Sequence, residues 1–75
     1  MKNLVQLGIE AASAAKFAKT CSFSEQLRAT AERKRAYRVW VEASESATPA
    51  ERSASCEAHD LELWGDLLVN LQRLG

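Results

Sequence analysis

The sequence predicts an all-α protein, a long antiparallel helical hairpin preceded by an N-terminal helix, in one domain over residues 1–75. Three observations support this fold class. Glycine and proline are scarce and alanine is abundant, which favours helix over strand. Two short stretches have the residue spacing of a helix start. The apolar residues recur with the period of a helix and do not alternate as they would along a strand.

The stretch "TPAE" at 48–51 predicts the turn of the hairpin. Thr48 is a suitable cap, Pro49 suits the first helical position, and Glu51 has the capping-box spacing from Thr48. Proline also disfavours helical geometry at the residue before it. One helix therefore ends near Ala47, and the next begins at Pro49 after a tight turn.

A second helix start is predicted at "SFSE", where Ser22 and Glu25 repeat the capping-box spacing. Together with the N-terminal helix this gives three helices. They span residues 3–19, 23–47 and 49–74.

The last helix predicts self-association. Its apolar residues occupy an arc of about 160° on a helical wheel, whereas one neighbouring helix covers only about 100°. The first helix offers mainly small residues for packing, among them Gly8, Ala12 and Ala15. We therefore expect a homodimer that completes a helical bundle. Its expected interface comprises Leu61, Trp64, Gly65, Leu68 and Leu71, where the glycine lets another backbone approach closely.

A basic run lies in the second helix, and it comprises Arg28, Arg33, Lys34, Arg35 and Arg38. Ten acidic residues balance ten basic ones over the whole chain, and many of the acidic ones follow the turn. In an antiparallel hairpin that turns at residue 48, several carboxylates come within reach of the run. We therefore expect internal pairing with Glu57, Asp60 and Glu62, and local pairing with Glu32 and Glu42.

The alternative interpretation of the basic run is a nucleic-acid-binding hairpin, in which its arginines and lysine face phosphate. No recognised reader motif accompanies the run. Tyr37 and Trp40 are three residues apart, a spacing that predicts a core stripe and not an exposed stacking pair.

Cys56 and His59 share one helix face, but a closed zinc site needs four ligands and nucleophilic catalysis needs a third orienting group. We therefore expect no metal, no cofactor and no enzyme activity, and we interpret His59 as a surface residue. Cys21 and Cys56 are too few for a disulfide scaffold, which favours free thiols in the cytoplasm. Polar residues interrupt the N-terminal region, so we expect neither a signal peptide nor a membrane span.

The small size, alanine-rich composition and helical hairpin resemble the small accessory proteins of phages and mobile elements. Several of those proteins are helical hairpins that inhibit host factors by binding them, including anti-CRISPR and anti-quorum-sensing proteins. The resemblance rests on general character and transfers no functional residue. It implies a non-catalytic protein-binding module that acts by occupying a protein partner.

Overall fold

The structure is a computed structural model that describes the backbone of residues 2–74 and the side chains of residues 2–65. It is all-helical, with three α-helices, which confirms the predicted fold class; the described residues form no strand. The elements are α1 (Leu4–Thr20), a 3-10 turn (Phe23–Glu25), α2 (Gln26–Ser44) and α3 (Pro49–Leu74).

Helix α1 begins with a capping box that the sequence analysis did not recognise. The backbone N–H of Gln6 donates to Asn3 Oδ1 at 2.8 Å, and the N–H of Asn3 donates to Gln6 Oε1 at 3.0 Å. These two bonds satisfy amides that a helix N-terminus otherwise leaves without partners. The helix therefore starts at Leu4, one residue later than predicted.

The start of α2 differs from the prediction. Ser22 makes no capping bond, so the expected box with Glu25 is wrong; its hydroxyl lies 3.1 Å from that of Ser24. The chain instead turns through the 3-10 segment before α2 begins at Gln26. The side-chain amide of Gln26 donates to the carbonyl of Ala18 at 3.0 Å, which ties α2 to the last turn of α1.

The predicted turn before α3 is confirmed. The N–H of Glu51 donates to Thr48 Oγ1 at 3.1 Å, and the N–H of Thr48 donates to Glu51 Oε1 at 3.3 Å. Helix α2 ends at Ser44, three residues before the predicted boundary, and the N–H of Ala47 bonds back to the Ser44 carbonyl at 3.2 Å.

Helix α1 packs against both other helices and supplies much of the core. It runs antiparallel to α2 and in the same general direction as α3, since Gly8 contacts His59 and Lys16 contacts Glu62. The molecule is flat, with principal extents of 38 × 35 × 16 Å. Most buried apolar residues of the described part are small: Leu4, Ala11, Ala12, Ala18, Ala29 and Trp40.

Candidate functional site

Beside the turn, the three helices meet in a cluster of Gly8, Trp40, Ser55 and His59, which we call the junction. Trp40 Nε1 donates to the buried Ser55 hydroxyl at 3.2 Å, and the His59 ring stacks on the Trp40 ring with centroids 4.5 Å apart. His59 Nδ1 lies 2.9 Å from the carbonyl oxygen of Gly8. Because a carbonyl oxygen only accepts, Nδ1 carries the proton. These polar groups hold the helices together.

The absence of a side chain at Gly8 allows this contact. A Cβ atom at Gly8 would lie 2.8 Å from the backbone oxygen of Ser55 and 3.3 Å from the Trp40 ring. A Cβ at Gly65 would meet nothing within 4 Å. Within the chain, the close backbone approach therefore occurs at Gly8, and the interface role of Gly65 stays a prediction.

The interpretation of His59 as a surface residue is wrong, because its ring is partly buried and packs in the junction. Cys56 is exposed, and both it and Cys21 are free thiols. The ring nitrogen that donates to Gly8 is already used. In the part of the chain that the structure describes, no group of three His, Cys, Asp or Glu side chains could hold a metal ion.

Trp40 and Tyr37 divide the predicted core stripe between them. Trp40 is buried, as the spacing predicts, whereas Tyr37 is 53% exposed. The two rings meet edge to face, with centroids 5.7 Å apart and planes at 83°. The junction thus fixes Trp40, and Trp40 in turn supports an exposed tyrosine ring.

The predicted internal pairing of the basic run is largely wrong. Only Arg35 forms an ion pair, with Glu32 in the same helix, and this bond lowers the pKa of Glu32 below its ordinary value. Glu62 instead pairs with Lys16 of α1, at 3.6 Å. Over the described residues, no ion pair joins the run to α3. Four exposed cations of the run make no ion pair there: Arg28, Arg33, Lys34 and Arg38.

Three of these cations lie around one shallow cleft on the outer side of α2, which we call the basic cleft. Its volume is about 410 Å³, and no carboxylate lines it. Its lining residues are Arg33, Lys34, Tyr37, Arg38 and Val41. A smaller cleft of about 170 Å³ shares Tyr37 and Val41 and extends to Arg52 at the start of α3.

Large apolar side chains are exposed at the end of the molecule opposite the turn, which we call the apolar end. Phe23 is 96% exposed and Leu27 is 86% exposed, where the chain passes from α1 to α2. Trp64 of α3 lies at the same end, since Lys19 Nζ is 4.9 Å from its ring centroid. The residues of the apolar end are Phe17, Phe23, Leu27, Leu61 and Trp64.

Two of the five predicted interface residues belong to the apolar end. Leu61 and Trp64 are exposed, and Gly65 is half-buried. The side chains of Leu68 and Leu71 lie outside the described residues. The sequence analysis missed Phe23 and Leu27, although their spacing of four residues next to a predicted helix start indicates one exposed helical edge.

No protein-family model matches this chain, and the curated proteins and solved structures compared with it gave no match either. Along the described residues, we found no helix with both the length and the apolar character needed to cross a membrane.

Proposed function

We propose that this chain is a non-catalytic protein-binding module, a small accessory or inhibitor protein that acts by occupying a protein partner through its apolar end. The observation that carries this proposal is the exposure of five large apolar side chains at one end of the fold. Contiguous exposed apolar surface on a small protein is typical of interaction sites. Aromatic residues such as Phe23 and Trp64 are also the type that anchors protein interfaces.

The flat shape supports this proposal. The shortest extent of 16 Å is little more than one helix diameter of about 10–12 Å, so the fold has little depth in which to bury large residues. The core accordingly relies on alanine, and larger apolar residues lie at the surface. A partner that covers the apolar end would remove this surface from water, at about 25 cal/mol per Å².

Self-association belongs to the same proposal. A second copy placed against α3 forms a homodimer whose centre includes Leu61, Trp64 and Gly65, and the two copies complete a bundle of antiparallel hairpins. The open space above Gly65 leaves room for a second backbone. Such a pair has two-fold symmetry, the commonest arrangement of soluble oligomers. The two free cysteines support a reducing, cytoplasmic setting for this module.

Affinity capture tests the partner proposal with two matched variants. Phe23 and Leu27 are almost fully exposed, so Phe23→Ser/Leu27→Ser should leave the fold and its melting temperature unchanged. Val41→Ser serves as the control, because Val41 is an exposed apolar residue of α2 away from the apolar end. We expect wild type and the control to retain one host protein at stoichiometric amounts and the double variant to lose it. Equal capture by all three proteins would overturn the assignment of the apolar end.

Sedimentation equilibrium at low micromolar concentration tests the homodimer. We expect a dimer for wild type and for Val41→Ser, and a monomer for Leu61→Ser/Trp64→Ser. A wild-type monomer with a melting temperature independent of concentration would exclude the homodimer and leave the partner proposal to the capture experiment.

A further inference from the structure

We propose that the basic cleft of α2 binds single-stranded nucleic acid, with three cations on the phosphates and the exposed ring of Tyr37 under one base. This site is separate from the apolar end and independent of its function. It differs from the basic run as a whole, because Arg28 does not line the cleft and Arg35 is paired with Glu32.

The charge of the cleft is available to a ligand. Arg33, Lys34 and Arg38 are exposed around it, and no described carboxylate comes within ion-pair distance of any of them. Glu42 lies one turn beyond Arg38 and does not pair with it. Although the chain is neutral overall, this surface is locally positive, which is the electrostatic requirement for binding a phosphate backbone.

Tyr37 supplies a stacking surface in the middle of these charges. Its edge-to-face contact with Trp40 leaves at least one face of the tyrosine ring uncovered by Trp40, whichever ring presents its edge. Trp40 is held by Ser55 and His59, so the platform is supported from behind by two residues of α3. A cationic groove with an aromatic platform is the arrangement by which proteins bind single strands without reading sequence.

The two clefts that share Tyr37 define a path for the strand. The basic cleft lies on one side of the ring, and the smaller cleft leads from it to Arg52 of α3. A strand along this path meets cations on both sides of the stacked base. The bases of a duplex are already stacked on each other, so Tyr37 has no base face to contact there, and we expect the single strand to bind more tightly.

Fluorescence anisotropy with the full chain tests the site, using a labelled oligothymidine of about 12 nucleotides, a length within the range of single-strand site sizes. A labelled duplex of the same length and a labelled poly-glutamate peptide are the comparison ligands. With three or four phosphates contacted, the affinity for the single strand should fall with salt, with a slope of log K against log salt of roughly −2 to −3.

Four variants separate this site from general electrostatic attraction. Tyr37→Ala should weaken binding roughly 5- to 150-fold, whereas Tyr37→Phe keeps the ring and should bind like wild type. Arg33→Gln/Arg38→Gln should abolish binding and flatten the salt slope. Arg28→Gln removes a charge from the same helix outside the cleft and should have little effect. Melting curves of each variant show whether it is folded.

Several outcomes would overturn the proposal. These are no binding of the single strand at low salt, equal loss in Arg28→Gln and in the Arg33/Arg38 variant, or a Tyr37→Phe variant as weak as Tyr37→Ala. Equal binding of the duplex would overturn the stacking role of Tyr37. Tighter binding of poly-glutamate would reassign the cleft to an acidic protein segment.

Discussion

Replacement of Gly8 with alanine tests the junction directly, because the added methyl group has no space. The new Cβ would lie 2.8 Å from the Ser55 carbonyl oxygen, which belongs to the backbone of α3 and cannot rotate away. It would also lie 3.3 Å from the Trp40 ring. Helix α1 must therefore move away from α3, and this movement lengthens the hydrogen bond between His59 and the Gly8 carbonyl.

The expected loss of stability follows from three terms. Overpacking a tight contact costs about 1–3 kcal/mol, and weakening one hydrogen bond costs about 0.5–1.5 kcal/mol. Alanine in a helix interior returns about 1 kcal/mol relative to glycine. The free energy of unfolding of Gly8→Ala should thus fall by about 1–3 kcal/mol. For a domain of this size, the melting temperature falls roughly 4–8 °C for each kcal/mol.

Gly65→Ala is the matched control, since it makes the same chemical change in another helix where nothing lies within 4 Å of the new Cβ. Only the helix-propensity gain applies, so this variant should be more stable than wild type by up to about 1 kcal/mol. Thermal and urea unfolding followed by circular dichroism measure both changes. A Gly8→Ala protein as stable as wild type would refute the close contact of α1 with α3. A destabilised Gly65→Ala protein would instead indicate that a second copy covers Gly65.

Three further substitutions test the caps and the junction by thermal unfolding. Thr48→Ala removes the cap of α3 and should cost about 0.5–2 kcal/mol; an unchanged midpoint would contradict the helix start there. Asn3→Ala should cost a similar amount by removing the cap of α1, and no loss would mean that this capping box contributes nothing in solution. Ser55→Ala leaves Trp40 Nε1 without its partner and should cost about 1–3 kcal/mol, together with a shift in tryptophan fluorescence; identical spectra and stability would argue against that hydrogen bond.

The fold class and the turn could be predicted from sequence because their signals are local. Thr48, Pro49 and Glu51 act within one helical turn, so their spacing alone fixes the start of α3. The boundary of α2 could not be predicted in the same way. Its first residue depends on how the chain turns back from α1, and the bond from Gln26 to Ala18 is part of that geometry.

The partners of individual charges and rings were harder to predict, because they depend on where α1 lies. The expected pairing assumed that α2 and α3 face each other along their length. Helix α1 contacts both of them, and its Lys16 takes Glu62 as a partner. The same arrangement brings His59 against Gly8, a contact between residues 51 positions apart that no local pattern indicates.

The central position of α1 has a consequence for synthesis of the chain on the ribosome. Helix α1 is made first, yet its contacts with α3 join residues 46 to 51 positions apart. At a translation rate of about 5–20 residues per second, α1 waits roughly 3–10 seconds before those partners have been made.

During that interval the side of α1 that will contact α3 is uncovered. This side presents Gly8, Ala12 and Ala15, which expose far less apolar surface than leucine or isoleucine would. An unfinished chain therefore offers little to which another nascent chain or a chaperone could adhere. The small residues that allow the tight junction in the finished protein also protect α1 while the rest of the chain is made.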